Sequence, residues 1–434
     1  MPQIAIFTIG LDIVSLTSVD SVSRLDIKLW SRQFIPIKST FLLFVFSNLL
    51  NLSLGQNIKP LEINTQVITG AEQTERYIPL LKNKKVALLT NTSGKIKHAY
   101  LLDTLLRLRV NVVKVFGPEH GFRSSSDASR TILDEVDSIT GIPVVSLYGK
   151  NKKPKPEQLA GIELVVYDLQ DVGVRYYTYI STLSYMIEAC AELRIPVLIL
   201  DRPNPNGFYI DGPVLESDCN SFLGRFPIPV VYGMTCGELA QMMIGEHWLS
   251  VRETPSLTVI PLKGYNRNKT CRLETAPSPN LKDLKSVLFY PSLGWMEGTC
   301  LSLGRGTPGP FKQFGHPEYA GAIHSFIPVP NAINTHPRYA FKTCYGISLD
   351  TLQWLKHHPR KIELSWILQA YNSIPSQVPF FESSFDAHSG TKQLQLLIKN
   401  GASEAQIRSG WKKNLDLFKK RRQRYLLYPD FKNS

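Results

Sequence analysis

Cysteine, chemical signature motifs and long apolar runs are all scarce in this chain, and each scarcity removes a class of function. The six cysteines (Cys190, Cys219, Cys236, Cys271, Cys300 and Cys344) form no C-x-x-C pair, so neither a dithiol redox motif nor a cysteine-based zinc site is encoded. An even count permits disulfides in an exported protein, but a chain of 434 residues does not need them to fold, and free buried thiols are the simpler expectation. The metalloprotease motif H-E-x-x-H, the phosphate-binding P-loop and the serine-hydrolase elbow G-x-S-x-G are absent as well. Acidic side chains are outnumbered, 36 against 49 basic ones, for a formal net charge of +13. That excess suits anionic partners such as nucleic acid, an anionic envelope or an acidic sugar, although a solvated basic surface is the plainer reading and the one to prefer on charge alone.

The apolar run from Phe41 to Leu54 is interrupted by Asn and Ser and is shorter than the ~20 apolar residues of a membrane span. With Lys38 before it and small or polar residues after it, the run reads as the core of a secretory leader. Residues 1–55 are therefore expected to be removed, leaving a mature chain that starts near Gln56, has no stable membrane span, and lies in the periplasm or outside the cell. No methionine lies between Met1 and this run, so either the start is misassigned or the leader is unusually long.

From Lys85 onward short β-branched runs alternate with amphipathic stretches: "KVALLTN", "HAYLLDTLLRLR", "VNVVKVFG", "IPVVSLYG", "ELVVYDLQD", "STLSYMIEACAEL" and "PVLILDRPN". Such alternation predicts βαβ units and a parallel sheet, an α/β domain over residues 62–263. Beyond it the sequence is richer in Pro and Gly, which predicts a smaller α+β domain over 264–434, closed by an amphipathic helix with Trp411, Leu415 and Phe418 on its apolar stripe. The basic run "KKRRQR" is then the wet face of that helix rather than a nucleic-acid patch.

Each predicted strand ends in a polar cluster: "TNTSG", "GPEHGFR", "DLQDVGVRYYTY" and "DRPNPNG". Open parallel sheets bind ligands outside the carboxyl ends of their strands, so the clusters should converge on one crevice. Glu119 and His120, on a turn bounded by Gly117, Pro118 and Gly121, would share it with Asn91, Asp168, Asp171, Arg175 and Asp201. Each residue also has a structural alternative: Asn91 as a helix cap, Asp201 as an Asx turn, Tyr177 as packing. The stretch "LGRGTPG" matches G-x-G-x-x-G formally, but Pro308 and Pro310 oppose the helix a dinucleotide fingerprint requires.

Taken together, "TNTSG", "FGPEHGFR", "GIPVVSLYGK", "YDLQDVGVRYYTYISTL", "LDRPNPNGFYIDGPVL", "PIPVVYGMTCGELAQM", "PSPNL", "EGTCLSLGRGT" and "RYLLYPDF" resemble the NamZ-type exo-β-N-acetylmuramidases, over roughly Ile68 to Phe431. The resemblance implies a Rossmann-like domain joined to a smaller C-terminal domain, with the active site in the cleft between them. It also implies release of N-acetylmuramic acid from non-reducing ends of peptidoglycan-derived muropeptides or MurNAc–GlcNAc oligosaccharides, without metal or cofactor. By the same resemblance Glu119 and His120 are catalytic, with Glu119 the general acid, and Asp168, Asp171 and Glu297 are candidates for its carboxylate partner. Arg175, or alternatively Arg123 or Arg202, would read the lactyl carboxylate; Asn91, Tyr177, Asp201, Asn204 and Arg305 complete the substrate-binding set. Departures from the family pattern are "SSSDASR" over Ser124–Arg130, and Tyr232 where a His is usual. A glycan-binding protein without activity, and a nucleotide-dependent oxidoreductase, are the competing classes.

Overall fold

The computed structural model describes residues 59–123 and 134–431; the expected leader and the Ser124–Arg130 segment lie outside the described residues. Seven strands build the central sheet: β1 (Val86–Thr90), β2 (Val112–Gly117), β3 (Glu135–Val136), β4 (Pro143–Ser146), β5 (Leu164–Asp168), β6 (Val197–Leu200) and β7 (Leu257–Ile260). Their order across the sheet is β7-β6-β5-β1-β2-β4-β3, parallel throughout except for the edge strand β3. Without β3, the chain-order pattern is 3-2-1-4-5-6, that of a doubly wound Rossmann sheet. The strands expected from the sequence form β1, β2, β4, β5 and β6, and β7 extends the series by one.

These runs become parallel strands because both faces are buried. In β1, Val86 and Leu88 join one apolar cluster while Ala87 and Leu89 join the other; in β5, Leu164 and Val166 oppose Val165 and Tyr167. Alternate side chains point to opposite faces, so a strand covered on both sides must be apolar at every position. Helices α1 (Thr74–Leu81) and α2 (Leu101–Arg107) cover one face, α3 (Tyr179–Glu192) and α4 (Cys236–Gly245) the other. Register places Thr90 opposite Asp168 and Leu89 opposite Phe116, so the strand ends stand level.

The chain continues through α5 (Leu284–Leu293), a three-stranded antiparallel sheet with Cys344–Ser348 in its centre, α6 (Phe385–Ser389) and α7 (Glu404–Arg422). Trp411, Leu415 and Phe418 are buried on α7, as their helical spacing predicts. The basic run is not uniformly wet, however: Arg422 is buried and forks onto Asp430 through bonds of 2.6 and 2.7 Å. All six cysteines are buried and free. Among the described residues, no helix is long and apolar enough to cross a membrane.

The chain beyond the sheet is fastened to it by Arg175. Its guanidinium is fully buried and donates to the carbonyls of Pro213 (2.8 Å), Ile228 (3.1 Å), His388 (3.0 Å) and Ser389 (2.7 Å). Gly390 makes this approach possible: its φ is +79°, and a Cβ there would lie 2.3 Å from Arg175 Nη2. Gly390→Ala is therefore expected to destabilise the protein by roughly 2–4 kcal/mol, combining left-handed strain with displacement of a buried cation. A urea midpoint within error of wild type would exclude this.

Candidate active site

The turn after β2 is held by its backbone. Gly121 N–H closes it onto the Pro118 carbonyl at 2.9 Å, and His120 sits at φ +73°, a left-handed conformation that costs a non-glycine residue about 1–2 kcal/mol. Strain of this kind persists only where the surroundings impose it, and it concentrates at functional sites. The turn carries Glu119 to the start of α3, where Thr178 Oγ1 donates to Glu119 Oε2 at 2.7 Å. The aromatic wall behind it is fixed at its hydroxyls. Tyr177 donates to the Pro277 carbonyl (2.8 Å), and Tyr176 to those of Tyr290 and Pro291 (3.1 and 2.9 Å).

Facing this wall, the segment after α5 brings Glu297 and Arg305 together in an ion pair of 2.7 Å, with the Arg305 guanidinium 5.1 Å from the Phe311 ring centre. Glu119, His120, Tyr177, Glu297 and Arg305 line one cleft enclosing about 590 Å³ of empty space. Burial disfavours the Arg305 cation, but Glu297 and, further off, Glu119 raise its pKa above the ordinary value, so it stays charged. Burial first, then Glu297 and Glu119, hold the Tyr290 hydroxyl well above its usual range, so it stays protonated and able to donate.

Five of the thirteen candidate residues therefore meet in the cleft, and the rest are placed elsewhere. Asp168 is buried and held bidentately by Arg202 (2.5 and 2.9 Å). Asp171 accepts from Gly173 N–H (2.6 Å) and the Tyr232 hydroxyl. Asp201 accepts from Thr235 Oγ1 (2.7 Å), Gly237 N–H (3.0 Å) and Tyr428 hydroxyl (2.5 Å), tying the C-terminal "RYLLYPDF" to the end of β6. Asn204 is buried, donating to the Met234 carbonyl (2.7 Å) and accepting from Asn206 N–H (2.8 Å). Asn91 links Tyr179 to Ser93. Arg123 pairs with Asp103 and Asp137.

The expectation that Arg175 faces the substrate is corrected: it is fully buried, burial pulls its pKa down to about 10, and its partners are backbone carbonyls. Nor do the four strand-end clusters converge on one crevice: Glu119 and His120 share the cleft with Tyr177 of the β5 cluster, while Ser93, Gln170 and Arg202, beyond the ends of β1, β5 and β6, line a separate depression. The reading of the sequence passed over Thr178, Ser278, Asn280, Tyr290 and His388, which also line the cleft. Ser278 and Asn280 lie in the quoted "PSPNL", and Thr178 directly follows Tyr177, already singled out; His388 carried no local signal.

Burial raises the Asp171 carboxyl to about 6, against the opposing bonds from Tyr232 and Gly173. The folded protein thus holds a proton there that the unfolded chain releases near pH 3.8. This favours folding below about pH 4, and the benefit is lost as pH rises through about 6. Asp171→Asn, which cannot ionise, should gain stability relative to wild type between pH 4 and pH 7, by roughly 1–3 kcal/mol. Urea titrations of both proteins at the two pH values test this, and a constant difference would show that Asp171 is ionised throughout.

Comparison with known proteins identifies the family. The domain model described as exo-β-N-acetylmuramidase NamZ, N-terminal, matches residues 86–285, and its C-terminal counterpart matches 288–428. The peptidoglycan β-N-acetylmuramidase NamZ of Bacillus subtilis (strain 168) is 36% identical over 384 residues, spanning 81% of this chain and 89% of the relative. Two crystal structures of DUF1343 family proteins from Bacteroides fragilis NCTC 9343 superpose with TM-scores of 0.78 and 0.72, at 41% and 31% identity. Each covers 84% of this chain and 100% of its own. The chain therefore belongs to the NamZ exo-β-N-acetylmuramidase family.

Proposed function

We propose that this protein is an exo-acting glycoside hydrolase that releases N-acetylmuramic acid from the non-reducing ends of peptidoglycan glycan fragments. The observation that carries this reading is the pair of differently partnered carboxylates in one cleft: Glu119 meets a hydroxyl, whereas Glu297 meets a guanidinium. Glycoside cleavage asks for that division, with one carboxyl giving a proton to the leaving oxygen and an anion facing the positive charge that develops on the sugar ring. Glu119 is the general acid in this scheme, and Glu297, paired with Arg305, is the anion that supports the oxocarbenium-like transition state. The free edge of Arg305 reads the lactyl carboxylate in place of the buried Arg175. Family membership and the apolar Phe41–Leu54 run support cell-wall turnover as the setting, with export to the periplasm or beyond.

Glu119→Gln keeps shape and hydrogen bonding but removes the acid. It should lower kcat on a MurNAc–GlcNAc disaccharide by about 10² or more, and much less on an aryl muramide whose leaving group needs little protonation. Equal losses on both substrates would remove Glu119 from the acid role. Arg305→Lys keeps a charge beside Glu297 but loses the planar fork, so KM for the muramide should rise about tenfold. An unchanged KM would place carboxylate recognition elsewhere.

A further inference from the structure

A second depression, of about 710 Å³ of empty space, opens on the same edge of the sheet, over the ends of β1, β5 and β6 rather than β2. This is where the strand order reverses: the chain runs from β1 to β2 and β4 on one side, then from β5 to β6 and β7 on the other. Open α/β sheets bind ligands at that switch point, and the cleft holding Glu119 and Glu297 leaves it unused. It is not built for phosphate. The turn after β1, Asn91–Gly94, has a single glycine, and α2 begins only at Leu101, after a short hairpin.

What the depression offers is cationic donors. Arg202 lines it with a side chain only 9% exposed, and its Nε and Nη2 are engaged by Asp168 and the Lys95 carbonyl. Its Nη1 edge makes no hydrogen bond among the described residues. Lys95 and Arg272 stand beside it. Of the carboxylates nearby, Asp168 is taken by Arg202, and Glu72 is taken by Thr69 through its N–H (2.7 Å) and hydroxyl (2.9 Å). Glu274 stands on the rim, so the three cations have Asp168, Glu72 and Glu274 as counter-charges, and what distinguishes the depression is the unengaged Nη1 edge of Arg202 rather than an excess of positive charge.

The depression and the cleft are neighbours. Asn91 joins Ser93 of the first to Tyr179 of the second through bonds of 2.9 and 2.7 Å. Thr275 lines the depression and Ser278 the cleft, so the ridge between them is at most about 10 Å of chain. That is the reach of a disaccharide. In a glycan alternating N-acetylmuramic acid with N-acetylglucosamine, a muramic acid held in the cleft places the next lactyl carboxylate two sugars further along.

We propose that the switch-point depression is an acceptor-side subsite that takes this second, carboxylate-bearing sugar, read by Arg202, Lys95 and Arg272; the proposal rests on the glycosidase reading above. The test compares a MurNAc–GlcNAc disaccharide with the corresponding tetrasaccharide on the full-length protein. Lys95→Ala combined with Arg272→Ala avoids stranding Asp168, and should lower the ratio of kcat/KM, tetrasaccharide over disaccharide, about tenfold. Amidating the inner lactyl carboxylate should cost wild type a similar factor and cost the double variant little more. An unchanged ratio, or no effect of amidation on wild type, overturns the subsite. Wild-type protein that cleaves neither glycan overturns the glycosidase reading instead. The subsite is then judged by calorimetric titration with the tetrasaccharide, where about tenfold weaker binding by the double variant supports it and equal affinity rejects it.

Discussion

A single buried cation organises the relation between the sheet and the rest of the chain. Taking a guanidinium out of water costs several kcal/mol, and among the described residues no carboxylate pairs with Arg175 to offset that cost. Four carbonyls do so instead, each a hydrogen bond to a charged group worth about 1.5–3 kcal/mol. They come from three separate stretches of chain, so both terminal nitrogens of the guanidinium are fully engaged only when all three are in place, while its Nε stays buried without a partner. Two of the four belong to His388 and Ser389, and His388 lines the cleft. The bond network that joins the parts of the protein thereby also sets one wall of the site.

The other fasteners follow the same logic. Asp201 receives Tyr428, and the Arg267 guanidinium meets Glu238 in a fully buried pair that also touches the Gly233 carbonyl. Glu238 also accepts from the Leu427 and Tyr428 N–H groups (2.7 and 3.3 Å), so both fasteners reach the last part of the chain. Polar groups at strand ends thus serve two purposes here: Glu119 and His120 after β2 line the cleft, while Asp168, Asp171 and Asp201 at the ends of β5 and β6 hold other parts of the chain in place.

That dual use explains what could be read from the sequence and what could not. The parallel sheet was legible because a strand buried on both faces must be apolar throughout, as in the run Leu164-Val165-Val166-Tyr167, where every position has a reason to be hydrophobic. β7 escaped because Leu257–Ile260 is partly exposed at the sheet edge, and its short run lacks that signature. The turn bearing Glu119 and His120 was legible because Gly and Pro bound it. The roles of Asp171, Asp201, Asn204 and Arg175 were not, because a buried polar residue bonded to the backbone has the same local sequence as one presented to a ligand. For Arg175 the deciding partners lie 38, 53, 213 and 214 residues away.

The two carboxylates of the cleft owe their different surroundings to different parts of the fold. Glu119 stands on a strained turn fixed by β2 and meets the hydroxyl that precedes α3. Glu297 stands on a 3-10 turn directly after α5, and its guanidinium partner is eight residues further along the same segment. One is placed by the sheet and the other by the chain packed against it, so neither environment has to be compromised to make the other. In the proposed scheme acid and anion could thus be tuned separately, and Arg175 is one of the contacts that hold the two parts of the chain together at the cleft, through His388. A change that loosened that contact would leave both carboxylates chemically intact and still alter the wall of the cleft they share.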